Sequence, residues 1–228
     1  MKIGIFDSGM GGTTVFNAIK KLLPREEYFY IADSKNCPYG EKSDEELWRI
    51  VDGNVQRLIE WGAKIVVVAC NTATVRCIKA LREKYPEIKF VGTEPAIRLA
   101  AKMDAKKILV LATPATVSSE RAAELRDKYQ KSDQEIRFFG CPGLADTIEH
   151  NLRFSNYKAL PLSDAEHAEI KKVLNGLLLG IDYEPDVVVL GCTHYPLIKN
   201  EIQSYFKDAE LIDGSDGVAK HVAKLAIN

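Results

Sequence analysis

Two cysteines in matched surroundings are the residues whose types and spacing best suit chemistry. Cys70 follows the apolar run IVVVA and Cys192 follows VVVLG, and each opens a polar, helix-capping segment. A cysteine at a helix N-terminus loses its proton more readily, because the backbone N–H groups there favour the thiolate. One cysteine after a VVV run is typical of core packing. Two in matched settings favour a pair of soft bases acting on one substrate.

Polar residues follow each cysteine. His194 lies two residues after the second cysteine, where its imidazole can polarise the thiol or stabilise the thiolate. Asn71, Thr72 and Thr74 follow the first and offer an amide and hydroxyls suited to the carboxylate or ammonium of an amino acid. Thr193 occupies the place after the second cysteine that Asn71 occupies after the first. Small zwitterionic ligands fit these groups.

A glycine-rich segment, DSGMGG at 7–12, follows the strand-like KIGIF and precedes a helix-like stretch. Its N–H groups can hold a carboxylate or phosphate, although a simple tight turn explains the glycines equally well. It matches neither the P-loop nor the GxGxxG fingerprint. Asp7 can accept a proton or orient a thiol, or it can serve as a helix N-cap.

Two further candidates are less distinctive. Tyr39, in the turn-rich NCPYGE at 36–41, offers a hydroxyl above an apolar ring, although a surface turn is the simpler interpretation. Glu149, in CPGLADTIEH, is a candidate site carboxylate or a solvated helix residue. Cys77 and Cys141 are assigned to packing.

A zinc site is the rival interpretation of the two main cysteines. It would combine Cys70, Cys192 and His194 with Cys37. No CxxC or HExxH spacing supports it, so we expect no metal. No lysine stands out as a pyridoxal attachment site, and we expect no cofactor.

The elements that must position these residues alternate between short strands and longer helices. The strand-like runs are KIGIF, EYFYIA, KIVVVA, IKFVG, KKILVLA, EIRFFG, DVVVLG and AELID. Such alternation predicts an α/β fold with mostly parallel sheets flanked by helices. Capping-box patterns at Ser43 and Ser163 predict two long helices.

A weak internal repeat predicts two pseudo-symmetric α/β lobes. KIGIFDSGMGG at 2–12 aligns with KKILVLATPAT at 106–116, which places Ser8 opposite Thr113. We assign residues 1–93 and 209–228 to the first lobe and 94–208 to the second, with the C-terminal segment returning as a strand and a helix. The active site is expected in the cleft between the lobes, beyond the carboxyl ends of the strands.

Composition limits the function classes. The chain has 228 residues, 46% of them hydrophobic, with 31 Lys and Arg against 32 Asp and Glu. This balance predicts neither a nucleic-acid nor a membrane partner. The absence of a signal-like N-terminus and the five widely spaced cysteines predict a cytoplasmic protein with reduced thiols.

Four segments together resemble glutamate racemases, within the aspartate/glutamate racemase superfamily. They are, in order, DSGMGG at 7–12, CPYG at 37–40, ACNTA at 69–73 and GCTHYP at 191–196. The resemblance covers residues 3 to about 220. It implies an isomerase of the cytoplasm that interconverts L- and D-glutamate without a cofactor. That activity would supply D-glutamate for peptidoglycan, and hence for cell wall biogenesis and cell shape, and the resemblance also suggests a homodimer.

The resemblance also implies a role for each matching residue. Cys70 would remove the α-proton of D-glutamate and Cys192 that of L-glutamate. Asp7 would assist the first thiol, and His194 with Glu149 the second. Further substrate contacts are implied for Asp7, Ser8, Tyr39, Gly40, Asn71, Thr72, Thr116, Thr193 and His194. Two alternatives stay open: a racemase of aspartate or another small acidic amino acid, and a binding module that retains the pocket without catalysis.

Overall fold

The fold is α/β throughout. A computed structural model describes residues 1–227. Strands, numbered in chain order, are β1 (Lys2–Asp7), β2 (Glu27–Ala32), β3 (Ile65–Val68), β4 (Lys89–Gly92), β5 (Lys107–Ala112), β6 (Glu135–Gly140), β7 (Phe154–Ser155), β8 (Lys158–Ala159), β9 (Val187–Leu190) and β10 (Glu210–Ile212).

The helices connect these strands. They are α1 (Thr13–Leu22), α2 (Asp44–Glu60), α3 (Asn71–Lys84), α4 (Ile97–Ala100), α5 (Pro114–Val117), α6 (Glu120–Tyr129), α7 (Leu144–Asn151), α8 (Asp164–Leu178), α9 (Lys199–Gln203) and α10 (Ser215–Ile227). Four 3₁₀ turns complete the part of the chain described, at Met10–Gly12, Ser34–Asn36, Tyr39–Glu41 and Tyr195–Ile198. Within residues 1–227, no helix combines the length and apolar character that a membrane crossing requires.

The chain divides into two compact units. The first unit comprises Met1–Glu94 and the segment from Gly214 onward. Its sheet is parallel with the order β2-β1-β3-β4. Side chains alternate between the two faces of a strand, so Ile3 and Ile5 pack with α1 and α10, whereas Phe6 packs with α2 and α3.

The second unit comprises Pro95–Asp213. Its sheet is also parallel, in the order β10-β9-β5-β6. One face packs against α7, α8 and α9, and the other against α4 and α6. Renumbered from its own first strand, this sheet has the same 2-1-3-4 order as the first, read from the opposite edge. The fold prediction of two α/β lobes with parallel sheets is confirmed.

One part of the predicted organisation is wrong. The segment from residue 209 was expected to return to the first lobe as both a strand and a helix. Instead β10 pairs with β9, with Leu211 opposite Val188, and so belongs to the second unit. Only α10 packs with the first sheet, against α1. The crossing falls between Asp213 and Gly214.

Both predicted helix starts exist, and they differ in detail. At α8, Ser163 and Glu166 form the complete reciprocal capping box. At α2, the Ser43 hydroxyl accepts a hydrogen bond from the Glu46 N–H at 3.2 Å, whereas the Glu46 side chain pairs with Lys42. Half of the capping box is therefore present at α2.

Candidate functional site

The first candidate site forms around Cys70, the N-cap of the 14-residue helix α3. Strand β3 ends two residues earlier, and the Cys70 carbonyl accepts the Thr74 N–H at 2.9 Å, which begins the helix. The side chain is 5% exposed. The N–H groups of the first turn, which have no acceptor within the helix, and the helix dipole favour a thiolate at this position.

Asp7 and Ser8 lie at the carboxyl end of the neighbouring strand β1. Phe6 is in register with Val68, so the residues after it run alongside the segment that carries Cys70. Asp7 is fully buried, and its Oδ2 accepts the Gly12 N–H at 2.8 Å. The carboxylate therefore binds the backbone just before α1, close to the role of a helix cap that the sequence left open.

Gly12 is required by this close approach. A Cβ atom at position 12 would lie 2.5 Å from the Asp7 Cβ and 2.8 Å from the Tyr30 hydroxyl. Its backbone angles are helical, with φ of −63°. Glycine is therefore required at position 12 because there is no room for a Cβ atom, and not because of an unusual backbone angle.

Tyr39 lies near Cys70 and Asp7, although its hydroxyl is already hydrogen-bonded. It donates to Asp33 Oδ2 at 2.7 Å, and the Asn54 amide donates to both groups at 3.2 Å. Burial and the Asp33 carboxylate hold the pKa of Tyr39 well above its usual value, with smaller contributions from Cys70 and Asp7. The substrate contact predicted for Tyr39 therefore falls to a group other than this hydroxyl. The first N–H groups of the turn, on Tyr39 and Gly40, have no intrahelical acceptor and are better suited.

The polar residues after Cys70 separate into two roles. Asn71 and Thr72 are buried, and among the described residues the Asn71 Oδ1 finds no hydrogen-bond partner. Thr74 donates to Val68 at 3.1 Å and accepts the Thr93 N–H at 3.0 Å. The suggestion that Thr74 grips a ligand is therefore wrong, because its hydroxyl joins α3 to the sheet.

The second candidate site forms around Cys192, two residues after β9, the equivalent place in the second sheet. The expected α-helix N-terminus is absent from this described segment. Cys192 precedes the 3₁₀ turn Tyr195–Ile198, and its carbonyl accepts the Tyr195 N–H at 3.1 Å. The helix dipole that supports Cys70 does not support this thiol.

Cys192 has an imidazole beside it instead. Its Sγ lies 3.7 Å from His194 Nδ1, and His194 Nε2 lies 2.8 Å from Glu149 Oε2. The two partners are nearly enclosed, with side chains 1% and 6% exposed. Glu149 comes from α7, 45 residues away in sequence. A carboxylate, imidazole and thiol in line can move or stabilise a proton at the sulfur.

Two threonines complete the residues predicted for this unit. Thr116 lies in α5, directly after β5, and is fully buried. The Thr113 hydroxyl donates to its Oγ1 at 3.0 Å. Thr193 is also buried. Thr113 follows the end of β5 as Ser8 follows the end of β1, which agrees with the internal alignment.

The remaining buried cysteines do not resemble bases. Burial raises the pKa of Cys77 to about 11 and that of Cys141 to about 12. Across residues 1–227, no group of three or more His, Cys, Asp and Glu side chains is arranged to hold a metal ion.

Sequence reasoning missed several residues that shape the site. Asp33 lies directly after β2, at the same sheet edge as Asp7, so the strand-end rule could have found it. Arg76 lies in α3, and its guanidinium donates to the Lys42 carbonyl at 2.9 Å and to Asp44 Oδ1 at 2.8 Å. It holds the loop that contains Tyr39 against α3. No local pattern signals this contact.

Comparisons with known proteins agree on one family. The family model for Asp/Glu/Hydantoin racemase matches residues 3–222. A glutamate racemase of Clostridium acetobutylicum is 40% identical over 97% of this chain and 82% of its own length. One from a Sulfurovum species is 36% identical over 99% of this chain and 83% of its own length.

Solved structures extend the similarity to the whole fold. The Escherichia coli glutamate racemase, in complex with L-glutamate and an activator, has a TM-score of 0.85 and 32% identity, covering 100% of this chain and 82% of its own. The Francisella tularensis enzyme, in complex with D-glutamate, has a TM-score of 0.77 and 27% identity, covering 99% and 81%. An aspartate racemase of Picrophilus torridus, at 19% identity and a TM-score of 0.63, shares the fold.

Proposed function

This chain belongs to the Asp/Glu/Hydantoin racemase family, and from that premise we propose that it interconverts L- and D-glutamate with two cysteine bases. The observation that carries the proposal is the equivalent placement of Cys70 and Cys192, each two residues beyond the third strand of its own parallel sheet. The relatives at 36–40% identity are glutamate racemases.

In the proposed reaction, one thiolate removes a proton from the substrate and one thiol returns a proton to it. In the D-to-L direction, the Cys70 thiolate removes the α-proton and becomes a thiol. The resulting carbanion takes a proton from the Cys192 thiol on its opposite face, leaving a thiolate there. The L-to-D direction reverses these steps. Two bases avoid turning the substrate over within the site, which a single base would require.

The α-proton is very weakly acidic, so the carbanion needs support. Preorganised donors in a water-poor site stabilise developing charge without reorganisation. We assign substrate binding to Asp7, Ser8, Tyr39, Gly40, Asn71, Thr72, Thr116, Thr193 and His194. For Tyr39 the backbone N–H is proposed to bind, because its hydroxyl is committed to Asp33.

The two bases are supported differently. The N-terminus of α3 favours the Cys70 thiolate, with Asp7 at the adjacent strand end. The His194 imidazole, held by Glu149, is proposed to stabilise the Cys192 thiolate and to keep its proton nearby. No cofactor is required, because thiols and fixed dipoles supply both proton transfer and charge stabilisation.

The wider setting is part of the same proposal. A glutamate racemase would supply D-glutamate to peptidoglycan, and so serve cell wall biogenesis and cell shape from the cytoplasm. We propose a homodimer as the working assembly. A racemase acting on aspartate or another small acidic amino acid is the alternative, and the named relatives favour glutamate over it.

Solvent exchange at the α-carbon tests the proposal. Incubation with either glutamate enantiomer in D₂O should place deuterium at the α-position of the product, measured by NMR with circular dichroism for racemisation. Cys70→Ala and Cys192→Ala should each abolish racemisation. Normal racemisation by either variant would exclude the two-base scheme. Parallel assays with L- and D-aspartate decide the substrate, and glutamate binding without exchange would indicate a non-catalytic module.

A further inference from the structure

A fully buried tyrosine near Cys192 is a polar group that the proposed mechanism leaves unused. Tyr195 is 0% exposed, and among the described residues its hydroxyl makes no hydrogen bond of acceptable geometry, although the Cys141 thiol lies close enough to interact with it. Buried polar groups in native proteins are nearly always hydrogen-bonded, so an unpaired one requires an explanation.

The neighbours of Tyr195 are two thiols. It packs in the same buried cluster as Cys141 and Cys192, and its backbone N–H donates to the Cys192 carbonyl at 3.1 Å. Burial is the main cause that raises the pKa of Tyr195 well above 10, and negative charge on Cys192 and then on Cys141 raises it further. The phenol therefore stays protonated, and its hydroxyl is available as a hydrogen-bond donor.

Cys192 needs such a donor more than Cys70 does. Cys70 caps α3, whereas a 3₁₀ turn follows Cys192 and provides no long helix dipole. The titratable groups near Cys192 within its own unit include His194, Tyr195 and Cys141, with Glu149 behind the imidazole. Cys141 stays a neutral thiol, since burial raises its pKa to about 12.

We propose that the Tyr195 hydroxyl donates a hydrogen bond to the Cys192 sulfur whenever that sulfur is a thiolate. This bond makes the Cys192 thiol a stronger acid than it would be without the hydroxyl. This inference rests on the two-base function proposed above. The tyrosine proton remains on its oxygen throughout. The α-proton still moves only between substrate and sulfur, so the proton balance of the reaction is unchanged.

Tyr195→Phe tests this role by removing one oxygen from the buried ring. The rate of Cys192 alkylation by iodoacetamide is followed against pH, with the labelled peptide quantified by mass spectrometry. Losing a hydrogen bond to the charged form should move the thiol titration to higher pH by roughly one unit, with about tenfold slower alkylation at neutral pH. Tyr205→Phe is the control, because its hydroxyl donates to Asn175 at 2.6 Å in the same unit.

Racemisation gives a second readout. The two glutamate enantiomers have equal free energy, so kcat/KM must stay equal in both directions in every variant. The pH dependence of kcat for L-glutamate, in which Cys192 is the base, should shift upward in Tyr195→Phe and not in Tyr205→Phe. A merely structural role for the ring would lower activity without moving this profile.

Cys141→Ala provides an independent variant if Tyr195→Phe does not fold. Cys141→Ala removes the other thiol that interacts with the Tyr195 hydroxyl, so the hydroxyl should bind Cys192 more fully and the Cys192 titration should move to lower pH. A Cys192 titration that stays at the wild-type pH in Tyr195→Phe, or moves upward in Cys141→Ala, overturns the inference. Failure of the wild-type protein to racemise would overturn the proposed function instead, because alkylation measures Cys192 without substrate.

Discussion

At the residue scale, the same strand-end position supports a cysteine thiol in two different ways. Cys70 and Cys192 share a place in their sheets, yet the residues after them differ. A long helix follows Cys70, so backbone N–H groups can stabilise its thiolate. An imidazole held by a buried carboxylate stands beside Cys192 instead. The strand end sets where each thiol lies, and the residues after it determine how its thiolate is stabilised.

Glu149→Gln tests the carboxylate behind His194. The amide can still hydrogen-bond to the imidazole at the 2.8 Å position, although it cannot stabilise a positive charge there. We expect racemisation to fall by about a hundredfold, the range of a lost acid–base partner. Glu201→Gln is the matched control, because Glu201 pairs with His167 at 3.4 Å elsewhere in the same unit. Equal activity of Glu149→Gln and Glu201→Gln would contradict a role for the Glu149 carboxylate in supporting His194.

Gly12→Ala tests the close approach to Asp7. The new methyl group would lie 2.5 Å from the Asp7 Cβ, so the carboxylate or the turn must move. We expect a loss of about 1–3 kcal/mol in unfolding free energy and reduced activity.

Gly53→Ala is its control in the same unit, because Gly53 lies within α2 and a Cβ atom added there would meet no other atom within 4 Å. Alanine in a helix interior should add about 0.5–1 kcal/mol. Urea denaturation of both variants, with opposite signs expected, separates crowding at Asp7 from a general glycine effect.

At the element scale, the loop after β2 is fixed from two sides. The Tyr39 hydroxyl is bound by Asp33 and Asn54, and Arg76 of α3 donates to the Lys42 carbonyl. The helix that Cys70 caps therefore also holds the loop proposed to bind substrate. The geometry of the loop and the thiol are thus linked through one rigid element.

Arg76→Met should loosen this loop and leave both thiols in place. We expect KM for both glutamate enantiomers to rise about tenfold with a smaller change in kcat, because the loop is proposed to bind rather than to transfer protons. Arg49→Met is the control, since Arg49 makes an exposed ion pair with Glu45 on α2. Steady-state kinetics that show an equal change in KM for both variants would refute the loop assignment.

The sequence predicted the local elements and missed the pairings between distant ones. All eight expected runs form strands, and Cys70 caps a helix, because apolar runs and caps depend on neighbouring residues. The bond between Tyr39 and Asp33, and the strand pairing of β10, depend on how elements pack. The helix dipole expected at Cys192 is missing there, because a 3₁₀ turn rather than a long helix follows this cysteine.

At the scale of the whole molecule, the two units share a strand order and differ in the residues at the carboxyl ends of their strands. The common 2-1-3-4 order places equivalent residues at the carboxyl ends of equivalent strands. Substitutions after those strands can then specialise each unit without altering its sheet. Asp7 and Ala112 illustrate this, because both end the first strand of their unit and only one carries a carboxylate.

Alkaline pH should destabilise the whole molecule through its buried thiols and phenols. Burial raises the pKa of Cys77 from 9.0 to about 11 and that of Cys141 from 9.0 to about 12. Burial also raises the pKa of Tyr28 and Tyr183 from 10.0 to about 12. These groups release protons in the unfolded chain at a lower pH than in the folded protein. These four groups therefore add no pH dependence below about pH 8, and the stability that they contribute should fall as pH rises from about 9 to 12.

Cys77→Ala isolates one of these contributions. A shift of about two units corresponds to roughly 2–3 kcal/mol lost between pH 9 and 11. Urea midpoints measured across that range should fall less steeply for Cys77→Ala than for wild type, although the variant starts lower at pH 7 because it loses a buried sulfur. Val51→Ala, which shortens a buried apolar side chain in the same unit and removes no titratable group, should keep the wild-type slope. The same slope in all three proteins would mean that the Cys77 thiol does not couple folding to pH.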